Sequence, residues 1–397
     1  MKPDLRSFAT RLALLYGAIF LLVGSFMPYF PVWLDWRGLT AGEIGMVLAA
    51  PLFARILFTP TVSFAADRIG DRRRVLILLA WGTGLSCFLF LVASGFWAIL
   101  LVTLFYAMFW TTVMPLTETV AMAGVRESGL DYGRIRLWGS LTFIVASFAG
   151  GLAIELQGAR AALWIVIVSS LCVVAATHLL PRPTGAGRLR AATSGPRLRL
   201  GDALDLVRAP AFLLFLLTTS AVQATHAVYY VFGTLHWQAA GISTTVIGLL
   251  WAVGVAAEIV LFAVAGRILP AQGPVRLIWL AAAATVLRWS VTAVDPPLAV
   301  LFAVQVLHGL TFGAAHLGAI HYISDRVPET CAATAQGLYA SASAGIVMGA
   351  AMMATGPLYT ALAGRAYLVM AAVGMVALAG ATLMLAQQPG RRLLRRP

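Results

Sequence analysis

Twelve apolar stretches, each long enough to cross a bilayer, occupy most of this chain of 397 residues. A crossing needs about 20 mostly apolar residues. Backbone surrounded by lipid must satisfy its own hydrogen bonds, so such stretches are expected to be helices. They cover residues 12–35, 43–66, 75–93, 96–122, 134–156 and 160–180, then 211–235, 244–266, 274–294, 297–322, 333–359 and 364–386. The basic residues set the direction of threading. From an inside N-terminus, 23 of the 28 Lys and Arg fall on one face. Three (Arg37, Arg160, Arg365) fall on the other, and two (Arg55, Arg288) lie within apolar stretches away from their ends. Basic residues near crossings stay cytoplasmic, so both termini are expected in the cytoplasm. The expected class is an all-α, multi-pass protein of the inner (plasma) membrane.

Composition agrees with lipid burial. Hydrophobic residues make up 60% and charged residues 11%, against roughly half and a quarter in soluble domains. The net charge of +13 sits in short loops and tails, where attraction to anionic head groups accounts for it. The expected partners are therefore the bilayer, a small solute and a proton, with no nucleic acid, and a monomer is expected. Cys87, Cys172 and Cys331 show no paired spacing, so no disulfide framework, metal site or cofactor is expected. The first apolar run, Leu12 to Leu34, is too long for the core of a signal peptide and reads as a retained helix.

Between the sixth and seventh stretches lies Pro181 to Pro210, rich in Pro, Gly and Arg. It reads as a cytoplasmic linker joining a six-helix bundle at 1–180 to a second bundle and basic tail at 211–397. The halves echo each other. Ile44-Gly45 matches Ile247-Gly248, and at the same offset Arg55 falls on Glu258. Leu137 to Ser140 similarly matches Leu338 to Ser341. Repeated halves that move about a midplane site are a carrier architecture. Gly337, Ser341, Gly345 and Gly349 are spaced by four. They are expected to line one helix face and allow close packing.

Ionisable groups inside apolar stretches cost a few kcal/mol or more unless paired or hydrated, so each one present here needs a reason. Glu118 and Arg136 lie at similar depth on the fourth and fifth crossings, joined by a short turn. A hairpin would bring carboxylate and guanidinium together, either as a structural pair or as a grip on a polar solute. Glu258, Arg288 and His308 follow on the eighth, ninth and tenth crossings. They read either as a proton-handling group or as a static network. His226, Tyr229 and Tyr230 share one helix face and suggest an aromatic, polar wall. Arg55, Tyr16, Phe20, Tyr29 and Trp251 complete the candidate solute contacts. The buried charges are expected to converge on a wet space between the two bundles. No arrangement of nucleophile and base appears, so no enzyme activity is expected.

Asp67-Arg68-Ile69-Gly70-Asp71-Arg72-Arg73-Arg74 follows the second crossing. It reads as a cytoplasmic anchor, or as a latch through Asp67, Arg68 and Gly70. These residues resemble the loop signature of the major facilitator superfamily, with Ser63 in place of its first glycine and Asp71 interrupting its basic run. Gly133-Arg134-Ile135-Arg136-Leu137-Trp138-Gly139, with Glu118 before it, is similar to the fifth-helix motif of lactose permease and related proton symporters. Glu258, Arg288 and His308 also resemble charged residues of that group, but Thr311 stands where its tenth-helix glutamate would be. Pro31 to Leu34, Pro115 to Glu118, His226 to Tyr230 and Ile247 to Glu258 resemble the phenylpropionate permease branch. The resemblance spans nearly the whole chain. It implies the major facilitator fold, with 12 helices in two pseudo-symmetric bundles. It also implies proton-coupled symport, by alternating access, of a small carboxylate such as 3-phenylpropionate. A sugar or nucleoside symporter is the alternative, ahead of a drug/proton antiporter.

Overall fold

The structure, a computed structural model, describes residues 5–128, 131–181 and 205–387. Most of the expected linker and the tail from 388 onward lie outside the described residues. Eleven described segments are long and apolar enough to cross a membrane. The last, Thr334–Ala386, has 53 residues and is folded back by a 3-10 turn at Ala363–Arg365. At about 20 residues per crossing it supplies two.

The first six crossings are α1 (Leu5–Trp36), α2 (Ala41–Ile69), α3 (Arg72–Val92), α4 (Gly95–Ser128), α5 (Tyr132–Gln157) and α6 (Arg160–Leu179). The seventh is split into α7 (Pro210–Ala224) and α8 (Ala227–Ala239). α9 (Thr244–Thr292) contains the eighth and ninth crossings, which part at Gly273, φ 71°. The tenth runs through α10 (Leu298–Val306), a π-helical turn at Gly309–Ala314 and α11 (Ala315–Arg326). The eleventh is α12 (Ala332–Ser341), a second π turn at Ala342–Val347 and α13 (Met348–Leu362); α14 (Ala366–Ala386) is the twelfth.

Helix ends follow local chemistry. Thr40 caps α2 in a reciprocal box with Glu43, which satisfies two otherwise orphaned backbone donors. Asp71, which breaks the basic run, caps α3: it accepts from the Arg74 backbone N–H at 3.0 Å and pairs with Arg74 Nε at 2.9 Å. Asp131 caps α5 the same way, accepting from the Arg134 N–H at 3.1 Å. Basic side chains close the C-terminus of α6. Arg73 donates to the carbonyls of Leu180 (2.6 Å) and His178 (2.8 Å), and Arg11 donates to that of Leu179 (3.1 Å). Helix C-termini hold unpaired carbonyls and a partial negative charge, so part of the positive-inside signal here is helix capping.

Among the described residues, contacts define two compact units. One lies within Met1–Ala192 and Phe232–Ala252, the other within Thr193–Val231 and Val253–Pro397. In the first, Thr244 Oγ1 donates to the Gly151 carbonyl at 2.8 Å and Thr245 N–H to Glu155 Oε2 at 3.1 Å. The core of the second includes Phe212, Phe215, Ile278, Tyr322 and Tyr339.

One local expectation is corrected. The stripe from Gly337 to Gly349 does not keep to one buried face: Gly337 is exposed, whereas Gly345 and Gly349 are buried. The π turn at Ala342–Val347 lies between them. Its wider turn shifts the register that a regular 3.6-residue helix would keep.

Candidate functional site

In the first unit, α4 and α5 hold a charged cluster. Arg136 Nε lies 3.8 Å from Glu118 Oε1, and both side chains are about one-third exposed (29% and 31%). Tyr132 Oη donates to Glu118 Oε2 at 2.7 Å. The Arg136 guanidinium sits over the rings of Phe20 (4.0 Å) and Tyr16 (5.6 Å), an arrangement that favours a cation. Gly139 makes room for it. A Cβ there would stand 2.8 Å from the Phe20 ring and 3.2 Å from Arg136 Nη1. α4 and α5, consecutive along the chain, thus bring together the pair that their depths predicted. Tyr132, one helical turn before Arg136, is the member that the sequence reading missed.

The second unit holds a different cluster, centred on Arg288, whose side chain is 0% exposed. Its Nη1 donates to His308 Nδ1 at 3.0 Å and to Thr311 Oγ1 at 2.9 Å. Its Nη2 donates to Gln305 Oε1 at 2.8 Å. The guanidinium lies over Trp289 (4.4 Å) and Tyr229 (5.0 Å). His226 Nδ1 lies 3.1 Å from the Gln223 carbonyl, and its Nε2 lies 3.1 Å from Thr311 Oγ1.

This geometry fixes the tautomers of both histidines. A carbonyl only accepts, so His226 carries its proton on Nδ1 and takes the Thr311 O–H on Nε2. His308 Nδ1 faces an arginine N–H, so that nitrogen accepts and Nε2 carries the proton. Among the described residues Arg288 makes no ion pair with a carboxylate. Its charge rests on neutral acceptors and ring faces. Removing a cation from water costs several kcal/mol even after relaxation, and neutral dipoles recover only part of that.

The remaining candidates are dispersed. Arg55 is half-buried on α2, and no ion pair or hydrogen bond reaches it among the described residues. In the first unit Tyr29 is buried and donates to the Ser147 carbonyl, and Trp251 Nε1 donates to Thr234 Oγ1 at 3.2 Å. In the second unit Tyr230 stacks on His226 with ring centres 5.5 Å apart. Glu258, half-buried, borders the π turn, with its Cγ 3.5 Å from where a Cβ on Gly313 would stand. Of the expected trio, Arg288 and His308 are in direct contact. Arg288 is fully buried, and side-chain acceptors and rings surround its guanidinium. Of the loop residues, Arg68 lies over Phe64 at 5.0 Å. Gly70 ends α2 in a left-handed conformation, φ 70°. The side chain of Asp67 lies outside the described residues.

Gln305, Trp289 and the role of Thr311 were missed, although a signal existed. Gln305, His308 and Thr311 are polar residues spaced by three in the tenth crossing. The π turn that carries Thr311 has no such signal. Close backbone approach accompanies it: a Cβ on Gly309 would stand 2.9 Å from the Ala257 carbonyl oxygen.

Apolar membrane-crossing helices that carry charged clusters inside them are the architecture of a membrane carrier. Over residues 9–369 the sequence matches the MFS_1 like family, and the chain belongs to it. It is 31% identical over 375 residues to the probable 3-phenylpropionic acid transporter of Escherichia coli (strain K12), covering 92% of this chain and 95% of that protein. It is 28% identical to the maltose permease of Geobacillus stearothermophilus over 84% of this chain and 83% of that one. The solved structure of the nucleoside transporter NupG matches with a TM-score of 0.84 at 18% identity, covering 97% of this chain and 100% of that one. The protein is thus a secondary transporter of the major facilitator type, not an enzyme.

Proposed function

We propose that this protein carries a small organic carboxylate, such as 3-phenylpropionate, across the inner membrane together with a proton. The observation that carries this reading is Arg288, a fully buried cation without a carboxylate partner among the described residues. A carboxylate solute supplies the missing charge and matches the planar guanidinium fork. The rings beside it suit an aromatic tail. Trp289 lies against both His226 and Tyr229, with ring centres 5.4 and 5.8 Å away, and Tyr367 stacks on it at 5.6 Å. The likeness to a phenylpropionic acid transporter supports the same solute class.

Reaching a buried guanidinium requires its surroundings to move. The crossings that bear its partners are irregular there: the seventh is broken just before Ala227, and the tenth is π-helical at Thr311. Such irregular turns mark places where helices bend and rearrange. Glu258 and His308 are the titratable groups assigned to the proton, and Glu118 holds Arg136 in position in the first unit. Asp67, Arg68 and Gly70 form the loop latch.

A second reading, a hydroxylated solute, is favoured by the Glu118–Tyr132–Arg136 cluster, which presents acceptors and donors together, and by the likeness to a maltose permease. Uptake into cells or vesicles expressing the protein separates the two. Labelled 3-phenylpropionate should accumulate under an inward proton gradient and collapse with an uncoupler. Accumulation of maltose or a nucleoside, with no carboxylate uptake, would establish the second reading instead.

A further inference from the structure

The donors around Arg288 are unevenly satisfied. Nη1 is taken up by His308 and Thr311, and Nη2 by Gln305. Nε, on the same side-on edge as Nη2, is buried and has no acceptor among the described residues. The same holds for Gln305 Nε2 and Trp289 Nε1. Gln305 orients its carbonyl oxygen toward the guanidinium, because two donors cannot face each other; its amide N–H2 is therefore turned elsewhere. The Trp289 indole lies under the guanidinium, 4.4 Å from Cζ to ring centre, and its N–H is at the rim of that ring. Three residues in contact, Arg288, Gln305 and Trp289, thus each hold a buried N–H donor without an acceptor among the described residues, and an unpaired buried donor costs about as much as a lost hydrogen bond or more. One feature would satisfy all three: a compact group with several acceptor lone pairs and negative charge.

Resting on the carboxylate reading above, we propose that Gln305 and Trp289 are specificity-determining residues. The solute's carboxylate takes the Nε–Nη2 edge of Arg288 side-on, and the Gln305 amide and Trp289 indole donate the remaining hydrogen bonds. His308 and Thr311 keep the Nη1 side. The seat therefore selects a carboxylate over its amide or alcohol. Those analogues lack the charge, and an amide also brings donors where the site already has donors. This resolves the solute's head group separately from its tail, which the surrounding rings select.

The test is calorimetric titration of the purified full chain in nanodiscs with acetate, benzoate and 3-phenylpropionate. Gln305→Glu installs a carboxylate against Arg288 within the protein and should abolish carboxylate binding while leaving the melting temperature at or above that of the wild type. Trp289→Phe keeps a ring but loses the N–H, and should weaken binding about tenfold or more, the usual effect of deleting a hydrogen bond to a charged acceptor. Binding that needs Arg288 but is unchanged in both variants would overturn this inference alone, and would mean that water satisfies those donors. Wild-type protein that binds none of the three acids, or binding that survives Arg288→Gln intact, would overturn the parent reading and this inference with it.

Discussion

The two charged clusters solve the same problem in opposite ways. In the first unit, Arg136 is matched inside the protein by Glu118, with Tyr132 as an added donor, and the pair stays about one-third exposed. In the second, Arg288 is fully buried and, among the described residues, meets neutral acceptors and rings. A partly exposed ion pair gains little net energy and tolerates local change. A buried charge held by dipoles leaves an electrostatic demand that a ligand of opposite sign can meet. The contrast teaches that a balanced pair positions, whereas an unbalanced charge selects. Under the proposed function, anion recognition falls to Arg288 and a positioning role to Glu118 and Arg136.

The largest effect is therefore expected at Arg288. Arg288→Gln should lower affinity for 3-phenylpropionate by more than about 3 kcal/mol, over a hundredfold, in calorimetric titrations. A smaller loss than that caused by Arg136→Gln would reverse the assignment. Glu258→Gln should abolish accumulation driven by a proton gradient while preserving solute exchange between the two sides of a vesicle. Full accumulation by that variant would move the proton to His308. Glu118→Gln should cut initial uptake at least about tenfold through loss of charge-assisted bonds, with wild-type amounts of protein in the membrane. Its binding of 3-phenylpropionate should stay near that of the wild type. The smallest effect is expected from Arg136→Lys, which keeps the charge but loses the fork and the ring stacking. Uptake should fall by only a few-fold, about 1 kcal/mol in keeping with an exposed pair.

The helical class and nearly every crossing were legible in the sequence, because apolar length is a direct consequence of bilayer thickness. Glu118 and Arg136 were legible as a pair because a short hairpin turn equates depth on neighbouring helices. Their partner Tyr132 could have been found from its i, i+4 spacing to Arg136. The Arg288 cluster was only partly legible. Contacts among the seventh, ninth and tenth crossings depend on tilt and on the π turn at Gly309–Ala314, and a period of 3.6 residues does not report either. For the same reason the small-residue stripe on the eleventh crossing misled: its spacing assumed a regular helix through Ala342–Val347. Asp71 looked like an interruption of a basic motif, whereas its chemistry is that of a helix cap.

Comparing 3-phenylpropionate with 3-phenylpropionamide in calorimetric titrations of the wild-type protein tests the role of Arg288 most directly. The two share ring, chain and size and differ in the charge of the head group. Measurable heat for the acid and none for the amide is the expected result. Equal affinity for both would show that the buried guanidinium does not recognise the solute's charge.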